Sequence, residues 1–162
     1  METIQLREIA PTDNPILASI IRNALTEFKA NKQGTVFFDE TTDHLFELFS
    51  GTRGVYHVAV LNGEVVGGGG IFPTAGLDAG TCELVKMYLA PAARGKGIAK
   101  LLMESCLAAA KNSGFKQVYI ETMPELNIAI PMYEKFGFTY LLEPMGNSGH
   151  GGCDVWMLKT LE

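Results

Sequence analysis

A chain of 162 residues, 47% of them hydrophobic, can build one ordinary domain with its own core and needs no disulfide or metal staple. Its net charge of -5 argues against nucleic acid or an anionic membrane as an obligatory partner, because both demand a basic face. No apolar run approaches the ~20 residues that span a bilayer, and residues 1–7 lack the basic and apolar sections of a secretion signal, so a cytoplasmic protein is expected.

In chain order, residues 3–9 alternate enough for a first strand. Asp13 is placed to cap a helix running through Ile16, Ile20, Ala24 and Phe28, and a shorter helix is expected between Thr41 and Phe49. Residues 55–60 and 64–66 flank Asn62-Gly63, a pair suited to the positive φ angles of a tight hairpin turn. Four glycines, Gly67 to Gly70, then predict a bulge or a close backbone approach in place of a flat ladder. A long strand follows over residues 81–89.

From Gly97 the period turns helical, with Ile98, Leu101, Leu102, Ser105, Ala108 and Ala109 on one face and Gly114 as the stop. Residues 118–121 read as a strand. A second helix carries Ile130, Tyr133 and Phe136 and ends at Gly137, with Pro131 setting its start near residues 128–130. Residues 138–142 and 154–159 read as closing strands. No repeat or linker divides the chain, so one domain over residues 1–162 is expected, a mixed α/β fold with a central sheet flanked by helices. Cys82, Cys106 and Cys153 are odd in number and widely spaced, which predicts free thiols and argues against a CxxC-type metal site.

The segment Pro91-Ala92-Ala93-Arg94-Gly95-Lys96-Gly97-Ile98-Ala99 joins strand to helix. Its small residues let a ligand approach the main chain, and the first helical amides and the helix dipole favour an anion such as a pyrophosphate. Arg94 and Lys96 add charge nearby. The loop lacks the Lys-Ser/Thr pair of a P-loop and the three-glycine dinucleotide pattern, and taken alone it is equally a tight structural turn.

This loop resembles the cofactor loop of the GNAT superfamily of N-acetyltransferases, whose pattern Arg/Gln-x-x-Gly-x-Gly/Ala is met by Arg94, Gly97 and Ala99. Upstream, Glu83-Leu84-Val85-Lys86-Met87-Tyr88-Leu89-Ala90-Pro91 resembles that family's central strand. Downstream, Ala129-Ile130-Pro131-Met132-Tyr133-Glu134-Lys135-Phe136-Gly137-Phe138 is similar to its Ala-Ile-x-x-Tyr-Glu-Lys-x-Gly-Phe helix and turn. The resemblance implies a GNAT-like twisted mixed sheet and a single-domain acetyl-coenzyme A-dependent enzyme acting on a small-molecule or peptide amine. The phosphates would meet Arg94, Gly95, Lys96, Gly97, Ile98 and Ala99, and pantetheine would follow main-chain groups of Met87 and Leu89 as an added strand. The family's asparagine, seven residues before the tyrosine, is replaced by Leu126, so its cofactor contact is carried to Asn127.

Amine attack needs a neutral nitrogen, whereas a lysine-like amine has a reference pKa of about 10.4. Glu83, at the family's acidic position, is the candidate base, acting directly or through water, or an anchor for the ammonium; an ordinary salt-bridge glutamate is the alternative. Tyr133 is the candidate proton donor to the departing thiolate, its alternative role being a core aromatic. Glu121 ranks below Glu83, and residues 146–153 form a candidate acceptor loop in which His150 could take up protons. His44 and His57 have no stronger claim, and a Cys153 nucleophile lacks an evident base. A noncatalytic coenzyme A sensor and transfer of a longer acyl group are the competing functions. A homodimer pairing through the C-terminal strand is physically reasonable.

Overall fold

The computed structural model describes residues 1–126, 129–148 and 151–162. Among them the chain forms one seven-stranded mixed sheet with helices on both faces. Strand β1 (Ile4–Glu8) pairs antiparallel with β2 (Val55–Leu61), and β2 turns through Asn62 (φ 52°) and Gly63 (φ 84°) into β3 (Glu64–Phe72). Those two left-handed residues are what the Asn-Gly pair predicts. Antiparallel β4 (Thr81–Leu89) follows, and then parallel β5 (Gln117–Thr122), antiparallel β7 (Val155–Thr160) and, at the edge, β6 (Thr139–Tyr140).

Alternation along β2 shows how the layers form. Tyr56 and Val58 pack with Leu17, Ile21 and Leu25 of α1 (Asn14–Glu27) and with Leu45 and Phe49 of α2 (Leu45–Phe49). Val55 and Ala59 face the other way, toward the core under α3 (Ile98–Asn112), as side chains two apart on a strand must share a face. The short α4 (Ile130–Lys135) carries Pro131 in its first turn, where no internal amide bond is lost, and stops at Gly137 (φ 92°).

Several expectations change. Asp13 does not cap α1. A 3-10 turn (Pro11–Asp13) already places it in helical backbone, and its buried carboxylate instead accepts from Arg7 at 2.8 and 3.0 Å and from the Ala10 N–H at 2.8 Å. The helix expected between Thr41 and Phe49 is divided at His44 into a 3-10 turn (Glu40–Asp43) and α2. On α3 the buried stripe is Ile98, Leu102, Met103, Cys106 and Ala110, and Leu101 lies 42% exposed. β6 is shorter than residues 138–142 because Phe138 turns into the core. The C-terminal strand pairs along its whole length with β5, and on its other side β6 takes Leu158 and Met157.

Candidate active site

β4 and β5 are joined only at Thr81–Gln117, Cys82–Val118 and Glu83–Tyr119. Beyond Glu83 they part, and a cleft of about 260 Å³ opens between them. Its walls are the end of β4, residues 120–123, Tyr133 of α4, Phe28 just after α1 and the turn into α3. Glu83, Met87, Leu89, Arg94, Gly95, Gly97, Ile98, Ala99 and Tyr133 all line it. Lys96 does not, and pairs instead with Glu2 at 2.5 Å. Asn127 and His150 lie outside the described residues.

At the phosphate end, Gly95 (φ 74°) and Gly97 (φ 79°) are left-handed, and a Cβ on either would meet nothing within 4 Å. Gly97 caps α3, whose first internal bond runs from the Leu101 N–H to the Gly97 carbonyl at 3.2 Å. No side chain caps the helix, and the amides of residues 95–100 have no protein acceptor among the described residues. Six consecutive free donors at a helix N-terminus, with open space before them, form a site for a polyanion such as a pyrophosphate. Arg94 is drawn away from that space: it bonds Glu27 at 2.6 Å and the Leu89 carbonyl at 3.0 Å, and its guanidinium lies 5.0 Å from the centre of the Phe28 ring. The Leu89 carbonyl thus already has a partner.

At the other end Glu83 is 3% exposed, its carboxylate accepting from the Thr74 hydroxyl at 2.7 Å. Glu121 lines the opposite wall and accepts from the Tyr119 hydroxyl at 2.7 Å and from the Ser148 hydroxyl. Tyr133 is 7% exposed, and burial pushes its hydroxyl up to about 12, so it holds its proton at neutral pH. Cys153 also lines the cleft; burial, with Glu121 and Glu83 adding their negative charge, pushes its thiol up to about 12. That environment opposes a thiolate nucleophile.

Two features of the site escaped the sequence. Cys82 and Leu84 face α3, yet so do Met87 and Leu89, while Val85 and Tyr88 face α1. The change of parity comes from a bulge: Gly70 opposes Val85 and Gly68 opposes Tyr88, leaving Lys86 and Met87 opposite Gly69. Lys86 takes φ 51° there, a backbone strain on the order of 1–3 kcal/mol for a non-glycine residue. Its carbonyl accepts the Tyr56 hydroxyl at 2.8 Å. Its side chain turns to the α1 side and lines the cleft 3% exposed, 3.4 Å from Asp39. Burial lowers its proton affinity, and Asp39 and then Glu83 oppose that shift. A lone cation inside the apolar run Leu84-Val85-Lys86-Met87 was the available signal. The second feature, Asp39, sits in a segment with no strong periodicity.

No group of three or more metal-ligating side chains occurs among the described residues, and none of their helices is long and apolar enough to cross a membrane.

Residues 19–138 match the model of the acetyltransferase (GNAT) family. The chain is 42% identical over 158 residues to an uncharacterised N-acetyltransferase of Escherichia coli K12, YjgM, covering 96% of this chain and 94% of that protein. The crystal structure of a GNAT-family acetyltransferase from Staphylococcus aureus Mu50 superposes with a TM-score of 0.86 at 18% identity, covering 99% of this chain and 100% of that one. A second structure, yncA of Salmonella typhimurium with acetyl-CoA, gives a TM-score of 0.76 at 18% identity, over 98% and 94% of the two chains.

Proposed function

The chain belongs to the GNAT family of acetyltransferases, and on that premise we propose that it moves the acetyl group of acetyl-coenzyme A to a primary amine by direct attack in a ternary complex. The observation that carries the reading is the run of free amides over residues 95–100 at one end of a cleft whose other end holds buried Glu83. Phosphates at the first and an amine at the second would put the two reactants in line along β4.

The cosubstrate supplies an activated acyl carbon with a thiolate leaving group. The residues of this chain do the rest. Free amides 95–100 hold the negative phosphates, and the apolar wall of Met87, Ile98 and Tyr133 excludes water from the thioester. Glu83, fixed by Thr74, takes a proton from the incoming ammonium directly or through water, leaving a neutral nitrogen whose lone pair forms the new N–C bond as the C–S bond breaks. Tyr133 donates its O–H toward the departing sulfur, and the second proton, shed by the newly acylated nitrogen, restores the phenol directly or through water. A hydroxyl near 12 is a weak acid, but the same desolvation that raises it raises the proton affinity of a thiolate left in that pocket. The acid at Glu83 returns its proton to solvent with the products.

The acceptor is a small molecule or peptide bearing the amine. The test is release of free thiol from acetyl-coenzyme A over a panel of amines, with mass spectrometry of the N-acetyl product. Tight coenzyme A binding with no amine-dependent thiol release would replace this reading with that of a noncatalytic sensor. An acetylated Cys153 trapped by quenching before amine is added would replace direct attack with a two-step transfer.

A further inference from the structure

We propose that the acceptor is an amine carrying its own carboxylate, an amino acid or similarly compact zwitterion, and that Lys86 receives that carboxylate. The inference rests on the acetyltransferase reading above and names the substrate class of the same cleft.

It begins from the donors of Lys86. An ammonium has three N–H groups, and this one, 3% exposed on the cleft wall, bonds only Asp39 at 3.4 Å. That is well beyond the 2.7–2.9 Å of a charge-assisted bond. Asp39 is not free to close the gap, because its other oxygen is tied to the Thr41 N–H at 2.9 Å and the Thr41 hydroxyl at 2.7 Å. Two donors of a buried cation therefore have no protein acceptor among the described residues, and they lie on the surface a substrate would touch. Burying a cation so incompletely satisfied is costly unless something else completes its shell.

Charge around the cleft is arranged as a pair of opposite ends. Lys86 and Arg22 are balanced by Asp39 and Asp43, with Arg22 held on Asp43 at 2.6 and 3.0 Å. Toward β5, Glu83 and Glu121 bring two carboxylates to the cleft and accept from the hydroxyls of Thr74, Tyr119 and Ser148. An ammonium is attracted to the second region, and a carboxylate fits the first, where N–H donors are spare and no net negative charge repels it. Glu83 and Lys86 lie three residues apart, at most about 10 Å along an unbroken strand and less across the bulge, where Lys86 leaves the extended backbone. The bulge brings both to the α1 side, close enough for the charge of Glu83 to act on the ammonium of Lys86. Anchors of opposite sign at that separation suit a molecule whose amine and carboxylate are near neighbours.

The experiment compares matched pairs: L-phenylalanine with 2-phenylethylamine, L-leucine with 3-methylbutylamine, and L-methionine with 3-(methylthio)propylamine. In the wild type, kcat/KM for the best acid should exceed that of its decarboxylated partner by at least 10-fold. Lys86→Met should collapse that ratio toward one, and Lys86→Arg should restore part of it. An amino acid's lower amine pKa raises its neutral fraction in every variant alike, so the change in ratio isolates Lys86. Calorimetric titration of the same pairs into the coenzyme A complex supplies a readout that needs no turnover. Equal or reversed preference in the wild type overturns the inference, as does a ratio unmoved in Lys86→Met. If no amine releases thiol, the transfer reading fails, and the calorimetric preference alone decides the role of Lys86: tighter binding of the acids upholds it, and no preference refutes it.

Discussion

Replacing Gly97 by alanine separates the phosphate cradle from the fold. Gly97 holds φ 79° where a Cβ would meet nothing within 4 Å, so the folding cost is the left-handed backbone alone, about 1–2 kcal/mol for an L-residue. Gly63, in the β2–β3 turn, has φ 84° and equally open surroundings, and it does not line the cleft. Gly63→Ala should therefore cost the same in stability. For a chain of this size each kcal/mol lowers Tm by roughly 2–4 °C, so both variants should melt about 2–8 °C below wild type. Affinity should distinguish them. Gly97 lines the cleft, and a methyl there takes space that a phosphate uses when it meets the free amides. Losing one hydrogen bond to a charged group costs about 1.5–3 kcal/mol, which is roughly a 10–160-fold rise in Kd. Differential scanning calorimetry gives the first quantity and titration with coenzyme A the second. Equal coenzyme A affinity in the two alanine variants would refute the cradle.

Tyr133→Phe keeps the ring in its core position and should lower turnover by roughly 10–10⁴-fold while the coenzyme A affinity stays near wild type; an unchanged rate across pH would return Tyr133 to a packing role. Glu83→Gln removes the base but keeps its size, so kcat/KM should fall most at low pH, where the acceptor is ammonium, and recover in part as pH rises. Superimposable pH profiles for the two proteins would exclude Glu83 as base, whereas a uniform loss of amine affinity would make it an anchor. Cys153→Ala should retain turnover of wild-type order, because a thiol held near 12 does not supply a nucleophile at neutral pH; loss of activity with normal coenzyme A binding would count against direct attack. Arg7 holds the Asp13 carboxyl below its ordinary 3.8. The stability it contributes is present above about pH 4 and disappears as pH falls through that depressed value, so Asp13→Asn should flatten the acid limb of urea-unfolding midpoints, and an unaltered limb would deny Asp13 that role.

What could be read before the structure were features enforced locally. Asn62-Gly63 dictated its turn, Gly137 its helix end, and Gly97 the capping of α3, because each depends on a backbone conformation that few residues tolerate. The three family motifs, from Glu83 to Pro91, from Pro91 to Ala99 and from Ala129 to Phe138, then gathered most of the cleft-lining residues. The misreadings come from contacts and packing that the local pattern does not encode. Asp13 had the sequence of a helix cap but found Arg7 across a turn, and Leu101 had the right period but lay on the wrong side of α3. Lys86 was hidden most thoroughly, since a one-residue bulge shifts its parity and Asp39, 47 positions away, explains its burial.

The run Gly67–Gly70 has a consequence that crosses three strands. A Cβ at Gly68 would fall 2.6 Å from the Tyr56 ring and one at Gly70 2.8 Å from it, so the bare surface of β3 is the path by which that ring reaches the Lys86 carbonyl. Genetically, these sites form one epistatic unit. An alanine at Gly68 would also lie 2.6 Å from the His57 carbonyl, a backbone contact that trimming Tyr56 does not relieve, and a phenylalanine at Tyr56 cuts the tether while leaving the steric block against alanine in place. Second-site suppressors of a Gly68 lesion should therefore be scarce, and any that restore folding through a smaller residue 56 should still leave catalysis impaired.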